Sequence, residues 1–332
     1  MEIVLLIPIF LSFFICLFIL PFWIRKCKWV GLIWEDMNKF DKPKNIASSG
    51  GLIVVMSFVI GTLFYVAFRT FFRVGNEVNL QIFALLSVIL IFAIIGLTDD
   101  LLGWKNGGLS KRFRVLLAFI AAIPLVVINA GDSTMNFPFF GIADFGLLFP
   151  LLIVPLGIAG ASTTYNFLAG FNGLEAGQGI LVLGFLSFVS YITGYAWLAY
   201  IGVLMMASLA AFLFFNWNPA KVFPGDILTY SVGALIAVMS ILGNFEKIAV
   251  FVFIPFIIEV GLKTRGKLKK HSFGIPQKDG SLKMPYKKIY GLTHLAIFVL
   301  GKIKKKVYEG DVVYFILGIH LIFIVLAWAL FL

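Results

Sequence analysis

Apolar residues occur along this chain in long runs that are separated by short polar segments. A helix needs about 20 mainly apolar residues to cross roughly 30 Å of hydrocarbon. The pattern predicts about ten such helices, at 3–24, 50–68, 79–98, 114–130, 146–165, 178–196, 197–215, 227–245, 247–264 and 312–332. The expected fold is therefore an all-α polytopic membrane protein, with one integral membrane domain over residues 1–332.

Composition supports a bilayer as the solvent of this chain. Of its 332 residues 61% are hydrophobic and 13% are charged, whereas soluble proteins keep about a quarter of their residues charged. The first apolar run opens with Met1 and Glu2, and its basic cluster at 25–28 follows it, so it is expected to be a retained helix and not a cleaved signal.

Basic residues fix the expected orientation, because cytoplasmic loops of membrane proteins are enriched in Lys and Arg. In the ten-helix scheme 24 of the 27 basic residues fall on one side, and only Arg69, Arg73 and Lys247 fall on the other. Both termini are therefore predicted outside, with five basic loops in the cytoplasm. A net charge of +11 then describes a surface suited to anionic lipid and phosphate-bearing ligands. Nucleic acid is not an expected partner, because the charge is divided among short loops.

Carboxylates, asparagines and glycines converge on the same five loops, whereas the predicted outer loops are short and bland. The cytoplasmic loops are 27–51, 99–114, 166–179, 216–226 and 263–288. A transporter more often places ionisable groups near the midplane, within broken helices arranged as repeats, and no such repeat is evident. Chemistry on one face favours an enzyme that works at the cytoplasmic surface.

An acidic pair, Asp99 and Asp100, closes the third apolar run. Carboxylates at a helix C-terminus oppose the helix dipole, at a cost of roughly 0.3–1 kcal/mol, and a nearby divalent cation would remove that cost. The alternative is a hydrated helix end. Three further residues could complete a cation site, although each has a plainer interpretation: Asp226 as a helix N-cap, and Asn166 and Asn172 as turn residues. Carboxylate and amide oxygens completed by substrate phosphates are the ligands that Mg²⁺ prefers.

At these residues the chain resembles the polyprenyl-phosphate N-acetylhexosamine-1-phosphate transferases, and in particular the dolichyl-phosphate N-acetylglucosamine-1-phosphate transferases of the eukaryotic and archaeal branch. The likeness covers most of the chain. Its motifs are "DMNK" with "IASSGG", "GLTDDLLG", "NFLAGFNGLEAGQG", "NWNPAKVFPGD" followed by "ILTYSVGALIAVMSILGNFEK", and "DGSLKMPY". The family has ten helices with both ends outside, in agreement with the charge count.

The resemblance implies transfer of GlcNAc-1-phosphate from UDP-GlcNAc to a polyprenyl phosphate, expected to be dolichyl phosphate, with release of UMP. The product would begin a lipid-linked oligosaccharide for protein glycosylation. By family correspondence Asn166 and Asp226 are the ligands of Mg²⁺, with Mn²⁺ as an alternative ion. Asp99 would orient or deprotonate the lipid phosphate, and Asp100 would support the outer shell of the metal. Direct attack and a covalent aspartyl phosphate both stay open, as does assembly into a homodimer.

The resemblance also assigns residues to the nucleotide and the phosphates. The uracil would stack on Phe223 against Gly170; the alternative for Phe223 is a lipid-facing aromatic residue. Arg114 occupies a basic position that is often Lys in the family, and it can still neutralise phosphate. The other residues expected to bind substrate are Asp36, Asn38, Lys39, Asn172 and Glu175.

The last loop departs from the family. Related enzymes carry an Arg-His-Arg-Ile-Pro-like segment that grips pyrophosphate and sugar, whereas this chain has "KLKKHSFGIP", which sets Lys269, Lys270 and His271 against it. The alternative is a solvated, lipid-binding basic loop. Glu259, near the end of the ninth predicted helix, either lines the cleft or snorkels. Two other functions stay open: a transferase for another UDP-N-acetyl sugar or for undecaprenyl phosphate, and a multispanning carrier of phosphorylated or lipid-linked substrates.

Overall fold

The computed structural model describes residues 5–72, 75, 77–137 and 141–332. Within these residues seven helices are long and apolar enough to cross a membrane. They are α1 (Leu6–Val30), α2 (Gly51–Phe71), α3 (Asn79–Asn106), α7 (Leu174–Ile192), α8 (Ala196–Asn216), α9 (Gly225–Leu242) and α13 (Glu309–Phe331). Each coincides with one of the predicted runs, which confirms a mostly helical membrane protein; residues 3 and 4 of the first run, and Arg73, lie outside the described residues.

The other three predicted runs are broken helices. They form α4 (Lys111–Ala121) with α5 (Ile123–Val127), a π-helical turn (Phe149–Ile153) with α6 (Val154–Phe167), and α10 (Glu246–Val252) with α11 (Ile254–Arg265). Pro124, Pro155 and Pro255 stand at the starts of α5, α6 and α11. Proline lacks the backbone N–H that would continue the preceding helix, but it fits the first turn of a new one. None of the three is a continuous span, so the count of ten stays a prediction.

Two features of the fold were not predicted from the sequence. A helix, α12 (Leu292–Ile303), follows the last basic loop. Among the described residues there are also three two-stranded antiparallel hairpins, which pair β1 (Ile33–Trp34) with β2 (Ile46–Ala47), β3 (Thr134–Phe137) with β4 (Gly141–Asp144), and β5 (Ile275–Pro276) with β6 (Leu282–Lys283). The expectation of an all-α fold is therefore correct for the membrane helices but not for the loops.

Helix α9 lies at the centre of the molecule. Every residue from Ile227 to Leu242 is buried, and α9 packs mainly against α3 and α6. Glycines allow this close approach: a Cβ on Gly96 of α3 would lie 2.4 Å from the Ile227 Cα, and one on Gly233 would lie 2.7 Å from the Ala161 carbonyl oxygen of α6. The contacts bring the C-terminal parts of α3 and α6 to the N-terminus of α9.

The hairpin in the segment between α11 and α13 is bonded to the residues just before α13. The Leu282 N–H donates to the Val307 carbonyl at 2.7 Å, and Lys306 forms an ion pair with Asp279 at 2.7 Å. The hydrogen bond from Lys306, together with those from Ser281, holds the pKa of Asp279 well below its usual range. The hairpin β5–β6 is thereby attached to the start of α13.

Candidate active site

The site begins where α3, α6 and α9 meet. The Asn166 side chain, at the end of α6, donates to Asp226 Oδ1 at 2.9 Å, and the Asp226 backbone N–H donates to Asp100 Oδ1 at 2.8 Å. The N-cap of α9 is Pro224, and Asp226 is the second residue of the helix. The interpretation of Asp226 as an N-cap is therefore wrong, and the three residues form one cluster.

Asp99 is held by donors on both of its oxygens. The Leu109 N–H donates to Oδ1 at 2.7 Å, and Arg114 Nη1 lies 3.0 Å from Oδ2. Helix α3 continues beyond the acidic pair to Asn106, and Asp99 is only 4% exposed. The alternative of a hydrated helix end is thus wrong for Asp99, which is a buried and paired carboxylate.

Arg114 connects the carboxylates. Besides Asp99, its Nη1 lies 3.8 Å from Asp226 Oδ2, and its Nε donates to the Leu109 carbonyl at 3.0 Å. The Ser110 side chain caps α4 by accepting from the Phe113 N–H at 3.4 Å, which begins the helix one turn before Arg114. A single guanidinium therefore faces the carboxylates of Asp99 and Asp226.

Asp100 is the least satisfied of the three carboxylates. Its Oδ2 is buried and makes no hydrogen bond within the described part of the chain. A Cβ on Gly225 would lie 2.1 Å from this oxygen, and Gly225 has a φ of +71°, a conformation that glycine adopts readily. Glycine at the start of α9 thus leaves room for the Asp100 carboxylate beside Asp226.

The donor set fits a magnesium-type ion that also binds substrate. Arg114 faces only two of the three carboxylates, Asp99 and Asp226, and buried charges that lack partners are costly. The described residues contain no group of three or more His, Cys, Asp or Glu that could hold a metal ion by itself. Asp226 and Asn166 would therefore supply only part of a coordination shell, and substrate phosphates and water would complete it, as is usual for Mg²⁺.

A second group of polar residues holds the loop before α7. The Asp36 oxygens accept from the Asn38 N–H at 3.0 Å and from the Asn172 side chain at 2.9 Å. The Asn172 N–H donates to Glu309 Oε1 at 2.8 Å, and the other Glu309 oxygen is paired with Lys39. Glu309 is 2% exposed. It was missed from the sequence because the last apolar helix was expected to start at residue 312.

Of the residues expected to touch the nucleotide, Asp36, Gly170, Asn172, Glu175 and Phe223 line a cavity of about 670 Å³. Asn38 and Lys39 do not line it: Asn38 donates to the Gly170 carbonyl at 2.8 Å, and Lys39 donates to Asn218 at 2.7 Å. These two residues are thus placed to support the cavity wall and not to form it.

An aromatic residue that the sequence did not single out faces Gly170. A Cβ on Gly170, which has a φ of +106°, would lie 2.8 Å from the Phe273 ring. Phe273 and Phe223 both line the cavity, so Phe223 is not simply a lipid-facing residue. Phe273 could have been found from its position in the sequence, two residues after His271. His271 was expected in this cavity and does line it.

The last loop separates the three basic residues that were expected together. His271 lines the 670 Å³ cavity, and Lys270 lines a smaller neighbouring cavity of about 360 Å³, where its ammonium lies 4.8 Å from the centre of the Tyr286 ring. Lys269 is exposed and lines neither of these cavities. In contrast Lys263, which had been counted only as a loop base, lines both.

The two cavities differ in charge. The larger is lined by carboxylates that include Asp36, Asp99 and Asp226. The smaller has no carboxylate among its described lining residues; Arg114, Lys263 and Lys270 lie beside apolar residues such as Phe92 and Val115. The larger cavity can therefore hold a cation with a polar ligand, and the smaller suits an anion joined to an apolar chain.

Comparison with known proteins agrees with this arrangement. Residues 82–244 match the model of glycosyl transferase family 4. Over 326 residues the chain is 33% identical to a Saccharolobus solfataricus protein provisionally named UDP-N-acetylglucosamine–dolichyl-phosphate N-acetylglucosaminephosphotransferase, covering 97% of this chain and 95% of that one. A protein of Dictyostelium discoideum with the same enzyme name is 27% identical over 67% of this chain and 62% of its own.

A relative with a different substrate name also matches. The phospho-N-acetylmuramoyl-pentapeptide-transferase of Halalkalibacterium halodurans is 30% identical over 287 residues, which cover 80% of this chain and 86% of that protein. All three relatives are thus named as enzymes that transfer a phosphorylated N-acetyl sugar.

Proposed function

Because the chain belongs to glycosyl transferase family 4, we propose that it transfers GlcNAc-1-phosphate from UDP-GlcNAc to a polyprenyl phosphate, with dolichyl phosphate as the acceptor. A lipid phosphate oxygen attacks the β-phosphorus of UDP-GlcNAc, the bond from that phosphorus to the bridging oxygen breaks, and UMP leaves. The product is a lipid-linked sugar pyrophosphate, the starting compound of a lipid-linked oligosaccharide for protein glycosylation.

The observation that carries this proposal is the junction of two cavities of opposite character at the Asp226–Asn166 cluster. A nucleotide sugar fits the polar cavity, and a polyprenyl phosphate fits the smaller one, which has cations and apolar walls. Arg114 and Asn166 line both cavities, so the two substrates meet beside them. In phosphoryl transfer, positioning and charge neutralisation supply most of the catalysis.

The residues of the chain divide this work. Asp226 and Asn166 would hold Mg²⁺, or Mn²⁺ in its place, and the ion would neutralise the pyrophosphate. Arg114 faces the reacting phosphates. Asp99 positions the acceptor; because both of its oxygens already accept hydrogen bonds or an ion pair, it is a poor nucleophile, which favours direct attack. A phosphate monoester is mostly dianionic at neutral pH, so a strong base is not required.

A direct assay tests the function. Purified protein, labelled UDP-GlcNAc, dolichyl phosphate and Mg²⁺ should yield an organic-extractable label and an equal amount of UMP, and EDTA should stop both. Movement of substrate across vesicle membranes without UMP release would instead identify a carrier. If folded wild-type protein forms neither the lipid-linked product nor UMP, the proposal is overturned.

One observation favours a different sugar donor as the second candidate. His271 is the only residue of the three-residue basic segment 269–271 that lines the polar cavity, and "KLKKHSFGIP" has no arginine there. The end of the cavity that would meet the sugar thus departs from the related enzymes, and one relative acts, by its name, on a muramoyl pentapeptide. Running the assay with UDP-GlcNAc, UDP-GalNAc and UDP-MurNAc-pentapeptide distinguishes the donors by turnover. Dolichyl and undecaprenyl phosphate can be compared in the same way.

The orientation of the active site is part of the proposal. We place it at the cytoplasmic face of the cell membrane or of an endoplasmic-reticulum-type membrane, with both termini outside, because 24 of 27 basic residues fall on that side in the ten-helix scheme. The two native cysteines are buried and will not obscure labelling. Lys278→Cys should react with an impermeant thiol reagent only from the cytoplasmic side and Thr134→Cys only from outside. Labelling of both from one side contradicts the scheme.

A further inference from the structure

Four of the described residues line both cavities: Arg114, Asn166, Phe167 and Lys263. Only two of them are cations, and Lys263 has no role in the reaction as described above. A phosphate that moves from one substrate to the other must pass this junction. A cation that borders both cavities is therefore placed to contact a reacting phosphate.

The two cations differ in how far protein carboxylates already neutralise them. Arg114 lies 3.0 Å from Asp99 and 3.8 Å from Asp226. Lys263 lies 3.6 Å from Glu259, which is too far for a short hydrogen bond, and it donates to the Ser272 hydroxyl at 2.5 Å. An ammonium has three protons to donate, so Lys263 retains donor capacity that its described protein contacts do not use.

Glu259 forms a buried ion pair with Lys263, on the side away from the cavities. Its side chain is 0% exposed while that of Lys263 is 15% exposed, and the two residues are one turn apart on α11. Glu259 Oε2 accepts from the Leu292 N–H at 2.6 Å. A Cβ on Gly291 would lie 3.0 Å from Glu259 Oε1, so the carboxylate is closely packed. Glu259 therefore neither lines the cavities nor snorkels; it places a buried negative charge 3.6 Å from the ammonium of Lys263.

The smaller cavity decides which phosphate Lys263 meets. It contains three cations, no carboxylate among its described lining residues, and apolar side chains. The larger cavity contains the carboxylates, which would repel a phosphate that no metal ion accompanied. An acceptor phosphate without its own metal is thus most stable where the cations lie, on the side of the smaller cavity.

Resting on the proposed function, we infer that Lys263 binds the phosphate of the polyprenyl acceptor and that Glu259 is a positioning residue for it.

The test uses two variants of the full-length protein. Lys263→Met alone leaves Glu259 buried without its partner, which can destabilise the fold. The double variant Glu259→Gln/Lys263→Met removes both charges and keeps an oxygen that accepts from Leu292. We expect the double variant to unfold near the wild-type temperature, while its KM for polyprenyl phosphate rises about tenfold to a hundredfold, as loss of a charge-assisted hydrogen bond predicts.

Donor binding distinguishes this inference from its rivals. Affinity of the double variant for UDP-GlcNAc with Mg²⁺, measured without acceptor, should stay within about threefold of wild type. Recovery of a normal acceptor KM in the double variant would show that the Glu259–Lys263 pair is only structural and would overturn the inference. A fall in UDP-GlcNAc affinity as large as the rise in acceptor KM would place Lys263 in the donor site and overturn it as well.

A matched control and an independent reference complete the design. Lys283→Gln removes an exposed lysine of the same loop, on β6, and should leave both constants unchanged. Lys263→Arg keeps the charge and should retain more acceptor affinity than Lys263→Met. If wild-type protein makes no lipid-linked product, the proposed function fails; if wild type is active and the double variant has a normal acceptor KM, only the inference about Lys263 fails.

Discussion

Two pairs of carboxylates in this site are held in contrasting ways. In the pair Asp36 and Glu309, hereafter the scaffold pair, every carboxylate oxygen has a partner: Asn38, Asn172 or Lys39. In the pair Asp100 and Asp226, hereafter the reaction pair, Asp100 Oδ2 makes no hydrogen bond within the described residues, and the nearest cation to Asp226 lies 3.8 Å away.

This difference in hydrogen-bond partners suggests a structural role for the scaffold pair and a chemical role for the reaction pair. A buried polar group without a partner costs about 1–3 kcal/mol, and more when it is charged. The scaffold pair avoids this cost without any ligand, which fits a structural role at the wall of the larger cavity. In the reaction pair, under the proposed function, a bound cation would offset this cost. Four variants test this contrast.

The largest effect is expected for Asp226→Asn. The change keeps an oxygen that accepts from Asn166 but removes a negative charge from the reaction pair, so turnover should fall a hundredfold or more, on the scale of lost electrostatic stabilisation of a transferring phosphoryl group. The readout is UMP release at ordinary Mg²⁺. The control is Asp144→Asn, an exposed residue of β4, which should leave turnover unchanged. Near-wild-type turnover of Asp226→Asn would remove it from the metal site.

Phe223→Ala comes next, because Phe223 lines the same cavity as the reaction pair. Stacking of a base on an aromatic ring contributes about 1–3 kcal/mol in single-stranded nucleic acid sites. UDP-GlcNAc affinity should therefore fall roughly tenfold to a hundredfold, with helix content by circular dichroism unchanged. UMP affinity should fall by the same factor, since the base is common to both. Equal affinities in wild type and variant would place the uracil elsewhere, and Phe273→Ala would then be the variant to measure.

Glu309→Gln weakens the scaffold pair. It retains an acceptor for the Asn172 N–H but leaves Lys39 without its carboxylate. Because the Lys39 side chain is 28% exposed, water will compensate in part, and we expect about a tenfold loss of UDP-GlcNAc affinity with little change in kcat. Asp311→Asn is the matched control: it lies on the same helical turn, is paired with Lys304 at 2.5 Å, and should not affect the nucleotide. A large fall in kcat with normal affinity would contradict a scaffold role.

Asp100→Asn should give the smallest of the four effects. Unlike Glu309→Gln, it should make the folded protein more stable. Removing a charge from the reaction pair relieves repulsion, so in EDTA the unfolding temperature should rise by roughly 2–4 °C, if the gain is about 1 kcal/mol. Glu309→Gln should lower it. Saturating Mg²⁺ and UDP-GlcNAc should stabilise wild type more than Asp100→Asn, because at a given concentration a ligand that binds only the folded state stabilises it more when it binds more tightly. A lower unfolding temperature of Asp100→Asn in EDTA would place it with the scaffold pair.

The sequence predicted what depends on local pattern. Seven membrane helices follow from run length alone, and Asp99, Asp100 and Asp226 were found because acids at the ends of apolar runs are conspicuous. The interruptions at Pro124, Pro155 and Pro255 were visible but were not used, since an apolar run can continue through a broken helix.

What the sequence did not predict depends on distant contacts. Lys39 and Glu309 are 270 positions apart, so neither residue carries a local sign of the other. Lys263 was counted only as one of thirteen basic residues from Lys263 to Lys306, and only packing of α11 against α6 and α12 shows that it differs from them. The exposed position of Lys269 likewise depends on how the loop folds.

The three segments broken at proline have a consequence for how a lipid substrate enters the site and how its product leaves. Helices α4, α6 and α11, one from each broken run, all contribute to the smaller cavity. Under the proposed function, a cavity of about 360 Å³ leaves the bulk of a polyprenyl tail among the surrounding lipids, so that only its head needs to be recognised. Such an enzyme would tolerate acceptors of many lengths, and its product would depart sideways into the bilayer. Its turnover would then respond to the fluidity and thickness of the membrane as well as to its own chemistry.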